Sequence, residues 1–291
     1  MGTTSKRPTN IQAGRPPTAK PTRTMSRKAS RTLINRHHQL EKRRRRATST
    51  GDAAAAAAAS AELASLGGLA RYQEASLQGQ SLERGGDTSK VLLQWLPPQG
   101  TERRRLRMLE VGALSTRNAC SASEWFDMVR IDLGSREAGI VQQDFMERPL
   151  PETEADKFDC ISLSLVLNFV PDATARGRML ARSLSFLRGL AGEGSFGSSA
   201  GPALPCLFMV LPRSCVTNSR YLTETRLKEL MNKLGYGLIK AKTTQKLAYS
   251  LWTKIQEVSL ADVTFTKSEV NPGRARNNFA ITLDWSTAAM L

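Results

Sequence analysis

The 291-residue sequence has a formal net charge of +16, and most of that charge lies at its beginning. Residues 1–50 hold 14 of the 42 Lys and Arg residues but only one acid, Glu41, so the rest of the chain is nearly neutral. No stretch offers the roughly 18 apolar residues of a membrane span, and the start lacks the apolar core of a signal peptide. We therefore expect a soluble, intracellular protein that does not contact a membrane.

Residues 1–59 are predicted to form a disordered basic arm, because they offer too little apolar surface to offset the chain entropy lost on folding. The partners of such an arm should be polyanions, either nucleic acid or an acidic transport receptor. The run KRRRR at residues 42–46 is typical of a nuclear or nucleolar targeting signal and of a phosphate-binding patch. A solvated linker without a further role is the alternative.

Residues 60–98 are predicted to form a helical N-terminal segment. Four apolar residues recur at helical spacing before Gly79: Leu63, Leu66, Leu69 and Tyr72. Residues 87–89 can cap a second helix that runs through Trp95 and ends before two prolines. The sequence RGGDTSK is too short and wrongly spaced for a phosphate-binding P-loop, so we interpret it as a turn and cap.

Apolar runs alternate with helical patterns over residues 104–258. Five strands are expected, at LRMLEVG, MVRIDL, IVQQDF, FDCISLSLVL and CLFMVLP. Helices are expected at residues 118–126, 173–190 and 222–234. Short apolar strands separated by helices predict an α/β three-layer sandwich around a mostly parallel sheet. GYGLIKAKTT and KLAYSLWTK are predicted to pair as a hairpin, which adds an antiparallel C-terminal strand.

Two segments do not fit this alternation. The Gly- and Ser-rich residues 189–205 are predicted to form a flexible insertion. Residues 259–291 are predicted to form a C-terminal extension, in which FAITLDW is one possible strand, either extending the sheet or lying outside it.

Gly112 stands where the first strand opens into a turn, in the stretch RMLEVGALSTRN. A dinucleotide-binding turn needs G-x-G-x-x-G so that the backbone can approach a pyrophosphate, and only the first of these glycines is present. Asp132 stands twenty residues later, at the tip of the second strand, where a carboxylate can accept hydrogen bonds from both hydroxyls of a ribose. The pair predicts an adenosine ligand without phosphates, and S-adenosylmethionine is the common ligand of that kind.

Two further acids are candidates for the same site. Glu110 is placed to favour the cationic amino group of the methionine part of the ligand. Asp144, at the end of the third strand, is placed to accept a hydrogen bond from the exocyclic amine of adenine. Taken singly, Asp132 and Asp144 could each merely cap a turn.

Metal and imidazole chemistry are not expected. The four cysteines lie far apart, without Cys-x-x-Cys or a nearby histidine: Cys120, Cys160, Cys206 and Cys215. Both histidines, His37 and His38, lie in the basic arm. The remaining chain therefore cannot run a Ser-His-Asp or Cys-His relay.

Several stretches carry a resemblance to one family: RGGDTSKVLLQWL, LEVGALSTRNA, RIDLGS, IVQQDFMERPLP, FDCISLSLVLNFVPDA, RGRML and VLPRSCVTNSRYL. Over about residues 63–254 they resemble the fungal 25S ribosomal RNA adenine-N1 methyltransferase family. The resemblance implies a class I, Rossmann-like, S-adenosylmethionine-dependent enzyme of the nucleolus. It places the cofactor glycine and the ribose acid on Gly112 and Asp132. The usual second and third glycines of the first motif are absent here.

Substrate contacts are expected at the fourth and fifth strands, although no single catalytic residue is predicted. LSLVLNFVP resembles the N-P-P-[FY] motif of exocyclic adenine methyltransferases only loosely, which favours a ring nitrogen as the target. Asn168 would hydrogen-bond the base and Phe169 would stack on it; the alternative is a turn residue and a core residue. The loop after the fifth strand offers phosphate and base contacts: Arg213, Asn218, Arg220 and Tyr221. Tyr221 could equally pack against the following helix.

The sequence therefore predicts a methyltransferase for N1 of an adenine in 25S ribosomal RNA, free or in a pre-ribosomal particle. We expect a monomer without metal, in the nucleus and nucleolus. A non-enzymatic S-adenosylmethionine sensor that acts through a protein partner is the alternative. A protein or small-molecule methyltransferase whose arm only directs it to the nucleus is a third hypothesis.

Overall fold

The computed structural model describes residues 27–68, 71, 86–96, 105–135, 137–190 and 204–285. The first 26 residues of the basic arm and most of the insertion predicted at residues 189–205 lie outside this part. No helix in these ranges is both long enough and apolar enough to cross a membrane.

The described start of the chain is helical. Helix α1 spans Arg27–Ser49 and helix α2 spans Ala53–Ser65. The prediction of a disordered arm over residues 1–59 was therefore wrong from residue 27 onward. Helix α2 opens with a run of alanine, the residue type with the highest helix propensity. Asp52 caps this helix by accepting a hydrogen bond from the Ala55 N–H at 2.9 Å.

Helices α1 and α2 pack against each other through small and apolar side chains. Leu40 and Ala47 are buried on α1, seven residues apart, and Ala59 and Leu63 are buried on α2. Because seven residues make two helical turns, the two α1 residues share one face. The overall composition of the arm is basic and polar, so it does not reveal this short row of apolar residues.

The remaining elements follow the predicted alternation. Five helices are described: α3 (Ser89–Trp95), α4 (Ala119–Ala122), α5 (Ala173–Phe186), α6 (Ser214–Thr217) and α7 (Glu224–Lys233). Seven strands are described: β1 (Leu106–Val111), β2 (Phe126–Asp132), β3 (Val141–Gln142), β4 (Cys160–Ser164), β5 (Cys206–Pro212), β6 (Tyr236–Thr243) and β7 (Leu247–Lys254).

The strands form one sheet in the order β3-β2-β1-β4-β5-β7-β6. Strands β1 to β5 are parallel, whereas β7 is antiparallel to both β5 and β6. The predicted mostly parallel sheet with an antiparallel C-terminal hairpin is confirmed. Alternate residues of β5 enter two different buried clusters, one on each face: Leu207, Met209 and Leu211 in one, and Cys206, Phe208 and Val210 in the other. This confirms the three-layer arrangement.

Element boundaries differ from the prediction where the chain turns sharply. The helix predicted at 118–126 is the single turn α4, because Ser123 is extended and Phe126 already begins β2. The helix predicted at 173–190 ends at Phe186. The strand predicted through Leu167 ends at Ser164.

The C-terminal segment, residues 259–285, belongs to the main core. Buried side chains from this segment join the cluster that also includes side chains of α5 and α7: Val263, Phe265, Ile281 and Leu283. FAITLDW lies outside the seven-stranded sheet, and its pairing is a single antiparallel bridge between Phe265 and Leu283. The core thus extends past the domain boundary predicted at residue 258.

Candidate functional site

The carboxyl ends of the parallel strands meet at one edge of the sheet, where the predicted cofactor residues lie. Val111 on β1 is opposite Ile131 on β2, and Asp132 is opposite Gln142 on β3. Because neighbouring strands lie about 4.8 Å apart, Gly112 and Asp132 occupy adjacent strand ends. The structure brings them together, while their role in binding stays a prediction.

Gly112 forms a tight turn that other residues would distort. Its φ is +74°, in the left-handed region, and a Cβ added there would lie 2.7 Å from Val166 Cγ2. The N–H groups of Gly112 and Ala113 both donate to the carbonyl oxygen of Ile131, at 2.8 and 3.0 Å. These two amides are therefore occupied by β2 and do not form the phosphate cradle of a dinucleotide-binding turn.

Glu110 lies near the end of β1 beside an amide partner. Asn118 Nδ2 donates to both carboxylate oxygens, at 2.8 and 3.0 Å, and Asn118 Oδ1 caps α4 by accepting from the Ser121 N–H at 2.8 Å. Burial raises the pKa of Glu110, while the Asn118 hydrogen bond and the nearby charge of Arg130 act in the opposite direction. A desolvated carboxyl of this kind favours a cationic partner.

The other two acids each bind their own turn. Asp132 Oδ1 accepts from the Gly134 N–H at 2.9 Å. Asp144 Oδ1 accepts from the Met146 N–H at 2.8 Å, the bond of a capped turn. A carboxylate has further acceptor positions, so both bonds are compatible with the predicted contacts to ribose and adenine.

Sequence reasoning missed a contact that the RGGDTSK stretch makes with this edge. Asp87 Oδ1 accepts from the Ser89 N–H at 2.9 Å, while Asp87 Oδ2 accepts from the Ala119 N–H at 2.6 Å. Thr88 Oγ1 lies 2.8 Å from Ser164 Oγ at the end of β4. The negative charge of Asp87 also contributes to the raised pKa of Glu110. Residues 87–89 form the predicted cap, and they also contact residues near the carboxyl ends of the strands.

A second missed contact joins the turns after β1 and β2. Glu137 Oε1 accepts from the Thr116 N–H at 3.0 Å and from Thr116 Oγ1 at 2.5 Å. These hydrogen bonds lower the pKa of Glu137. They hold together the two turns that flank Gly112 and Asp132.

The turn after β4 carries the predicted base contacts. It opens at Leu165, a non-glycine residue with a φ of +58°. Asn168 Oδ1 is buried and accepts no hydrogen bond from the described residues. Phe169 is partly exposed, whereas Leu167 beside it is buried in the core. An unsatisfied buried acceptor suits a ligand that brings its own donor.

The loop after β5 is tied to the C-terminal segment. Arg220 Nε donates to the Gly273 carbonyl at 2.9 Å, and Arg220 Nη1 donates to Asn278 Oδ1 at 2.7 Å. Lys267 Nζ lies 4.0 Å from the centre of the Tyr221 ring. Arg220 thus binds the C-terminal segment to the loop after β5, and its contact with RNA stays a prediction.

Two other residues predicted in this loop reach the surface. Arg213 and Asn218 are exposed at the two ends of α6. The Asn218 carbonyl accepts from the Asn277 N–H at 2.9 Å. The Ser214 carbonyl accepts from Asn277 Nδ2 at 2.7 Å, so the backbone of α6 lies beside the C-terminal segment.

A family model described as "25S rRNA (adenine(2142)-N(1))-methyltransferase, Bmt2" matches residues 57–281. The chain belongs to this family. Family membership and the sheet order together confirm the predicted class I methyltransferase fold.

Two proteins with names that match the Bmt2 family are similar in sequence. The 25S rRNA (adenine(2142)-N(1))-methyltransferase of Saccharomyces cerevisiae is 42% identical over 224 residues, which are 76% of this chain and 62% of that protein. The 25S rRNA adenine-N(1) methyltransferase of Schizosaccharomyces pombe is 34% identical over 260 residues, which are 87% of this chain and 91% of that protein. The match therefore spans less than two thirds of the S. cerevisiae relative.

A solved structure that is similar to this chain is the O-methyltransferase NcsB1 from neocarzinostatin biosynthesis, in complex with S-adenosyl-L-homocysteine and 1,4-dihydroxy-2-naphthoic acid. It has a TM-score of 0.46 and 14% identity, over 77% of this chain and 70% of that chain.

The Bmt2 match begins within α2 and ends at Ile281. It therefore includes most of the C-terminal segment, and it leaves α1 outside.

Proposed function

We propose that the protein is an S-adenosylmethionine-dependent methyltransferase that modifies N1 of an adenine in large-subunit ribosomal RNA. The observation that carries this proposal is membership of the Bmt2 family, whose description gives that reaction. The two named relatives carry the same activity in their names.

The cofactor edge fits an adenosine ligand that bears a positive charge and no phosphates. The Gly112 and Ala113 amides are bonded to Ile131, so these two amides are not available to a phosphate. Asp132, on the adjacent strand end, provides acceptors for ribose hydroxyls. Glu110, with the charge of Asp87 nearby, would favour the amino group of the methionine part.

The chain's own contribution to the reaction is alignment and charge stabilisation. When bound, S-adenosylmethionine would supply an electrophilic methyl group. The N1 lone pair of adenine is available at neutral pH, so no residue has to remove a proton before attack. Asn168 Oδ1, buried and without a hydrogen-bond partner among the described residues, would accept from the exocyclic amine of adenine. That bond would strengthen as positive charge develops on the ring.

The direct test is product analysis. Protein is incubated with methyl-labelled S-adenosylmethionine and 25S ribosomal RNA that lacks the modification, and the RNA is digested to nucleosides. The proposal expects label in 1-methyladenosine. Label confined to N6-methyladenosine, or no label on free RNA and on pre-ribosomal particles alike, would overturn it.

The raised pKa of Glu110 predicts a pH-dependent affinity for the cofactor. Below this pKa the carboxyl is protonated and neutral, so its attraction for a cationic amino group is lost. The affinity should therefore rise with pH through the pKa of Glu110, above the usual carboxyl range, by up to about tenfold per pH unit. Calorimetry across pH 5 to 8 measures this, and Glu110→Gln should flatten the dependence.

The same raised pKa has a consequence for stability. Because the folded protein binds this proton more tightly than the unfolded chain does, the contribution of Glu110 to stability is largest at low pH. It falls as the pH rises through the folded-state pKa. A Glu110→Gln variant that keeps the wild-type pH dependence of both affinity and stability would contradict the assignment.

We propose that α1 presents a basic surface to ribosomal RNA. Glu62 of α2 pairs with Arg36 and lies 3.9 Å from Arg43. Lys42 and Arg46 are exposed four residues apart, and neither forms an ion pair within the described residues. Residues four apart share one helix face, so these two cations are available to phosphates.

Removing these two cations should change the salt dependence of RNA binding. Each phosphate contact contributes about 0.7 to 0.9 to the slope of log affinity against log salt concentration. Lys42→Gln combined with Arg46→Gln should lower that slope by about 1.4 to 1.8 in a filter-binding series. Lys157→Gln is the control for one lost charge, because Lys157 lies outside α1, just before β4, and its charge is already paired with Glu154. If the slope changed by the same amount per lost charge in both variants, the proposed contact of Lys42 and Arg46 with RNA would be contradicted.

We further propose that the protein acts in the nucleus and nucleolus, as part of ribosome biogenesis. The basic run at residues 42–46 supports this location. We also propose that the protein acts as a monomer. We propose that it needs no metal, because transfer of a methyl group from a sulfonium requires no Lewis acid.

A further inference from the structure

Arg176, in the first turns of α5, is a buried cation surrounded by carbonyl oxygens. Its side chain donates to four of them: Val170 at 2.7 Å, Leu167 at 3.2 Å, Pro171 at 3.3 Å and Ala280 at 2.6 Å. The Phe279 ring lies against it, with 4.3 Å between Cζ and the ring centre. Burial lowers the pKa of Arg176 to about 10. No carboxylate among the described residues lies within ion-pair distance of it, so carbonyl dipoles stabilise its charge.

Three of these four carbonyls belong to the turn between β4 and α5. They flank Asn168 and Phe169, the two residues proposed to contact the base. The turn opens at Leu165 in the left-handed region, where a non-glycine residue is strained. Such a conformation persists only where surrounding contacts hold it, and Arg176 supplies three of those contacts.

The fourth carbonyl links the turn to the C-terminal segment. The Thr282 N–H donates to the Ala173 carbonyl at 3.1 Å, and the hydroxyls of Thr174 and Thr282 lie 3.1 Å apart. A Cβ at Gly177 would stand 1.9 Å from the Thr282 carbonyl oxygen. The segment is thus packed directly on the backbone of α5, and Arg176 joins it to the base-contact turn.

We propose that Arg176 is a positioning residue for methyl transfer, which holds the β4–α5 turn in the shape that presents Asn168 and Phe169 to the adenine. This inference rests on the function proposed above. Arg176 acts through the turn and contacts neither the base nor the cofactor. An apolar side chain could fill the same space without the cost of burying a charge, but it could not donate to the four carbonyls.

The test is a double-mutant cycle on kcat between Arg176→Lys and Asn168→Ala. Lysine keeps the charge but lacks the planar fork that reaches several carbonyls at once. Each single variant should lower kcat, Arg176→Lys by roughly 10- to 100-fold, with the Kd for S-adenosylmethionine changed by less than about twofold. The double variant should be slower than Asn168→Ala alone by less than the full Arg176→Lys factor, because both changes remove the Asn168 contact while only Arg176→Lys also shifts Phe169.

Arg182→Lys is the matched control. Arg182 is the other buried arginine of α5, 7% exposed against 8% for Arg176. It donates to the Phe145 carbonyl at 3.0 Å and to the Arg148 carbonyl, in the loop after β3. This loop follows Asp144, the predicted contact to the adenine of the cofactor. The Arg182→Lys variant should therefore raise the Kd for S-adenosylmethionine, and its effect on kcat should multiply with that of Asn168→Ala.

The outcomes separate this inference from the proposed function. A wild-type protein that forms no 1-methyladenosine would overturn the function. An active wild type in which the Arg176→Lys and Asn168→Ala effects multiply would overturn the positioning role alone. If Arg176→Lys does not fold, Phe279→Leu removes the ring that packs against the guanidinium while leaving Arg176 in place. It should show the same lack of additivity with Asn168→Ala, and multiplying effects there would equally overturn the inference.

Discussion

Gly112→Ala is expected to lower kcat/KM for S-adenosylmethionine about 100-fold. Alanine at a φ of +74° costs roughly 1–2 kcal/mol. Its Cβ would also lie 2.7 Å from Val166 Cγ2, so the turn after β1 or the turn after β4 must move. Misplacement of reacting groups by about 1 Å can cost about 100-fold in rate. Steady-state kinetics with calorimetry of cofactor binding measures the effect.

The Gly51→Ala variant separates the free-energy cost of the left-handed backbone from the effect of the clash with Val166. Gly51, between α1 and α2, has a φ of +73°, almost the same as that of Gly112, and a Cβ there would meet nothing within 4 Å. The Gly51→Ala variant should lose only the backbone part of the free energy of unfolding, roughly 1–2 kcal/mol, while keeping the wild-type Kd for S-adenosylmethionine. A Gly112→Ala protein that also keeps wild-type Kd and kcat would show that the cofactor turn has been misplaced.

The cofactor edge was predictable because its signals are local in sequence. The apolar run of β1 ends immediately before Gly112, and that of β2 ends at Asp132, so two strand ends could be placed from spacing alone. The reason for the glycine was not local. Val166 comes from the turn after β4 and the Ile131 carbonyl from β2, and only the order of the strands in the sheet brings them to Gly112.

The substrate side was less predictable, because its arginines bind distant carbonyls. Arg220 was assigned to RNA from its position in a polar loop, yet its donors reach residues 273–278, more than fifty positions later. Arg176 likewise meets Ala280, 104 positions away. No local pattern marks the carbonyl that an arginine will find, so sequence reasoning placed Arg220 near the site without its partners and did not single out Arg176.

Helix α1 was missed for a different physical reason. Its composition has the charge and low hydropathy of a disordered segment, and α1 holds one acid, Glu41, within its 23 residues. Folding there depends on a narrow stripe, with Leu40 and Ala47 covered by α2. An average over composition cannot detect two buried side chains spaced seven apart.

Asp132→Asn is expected to weaken S-adenosylmethionine binding by roughly 10- to 150-fold. Asparagine keeps the shape of the side chain and can still accept from the Gly134 N–H, so the turn should survive. It loses the negative charge and one of the oxygens that would accept from the ribose hydroxyls. A hydrogen bond to a charged group contributes about 1.5–3 kcal/mol, which corresponds to that range in Kd. Isothermal calorimetry at fixed pH and salt measures the loss.

The contact can be assigned to the ribose by changing the ligand as well as the protein. Asp127→Asn, on an exposed position of the same strand, removes the same charge and should leave the Kd unchanged. A deoxyribose analogue of S-adenosylmethionine should bind wild type more weakly than the parent compound, yet lose little further on Asp132→Asn. Equal losses for both ligands would mean that Asp132 acts on the ligand's positive charge, or on the turn, and that the ribose is recognised by other groups.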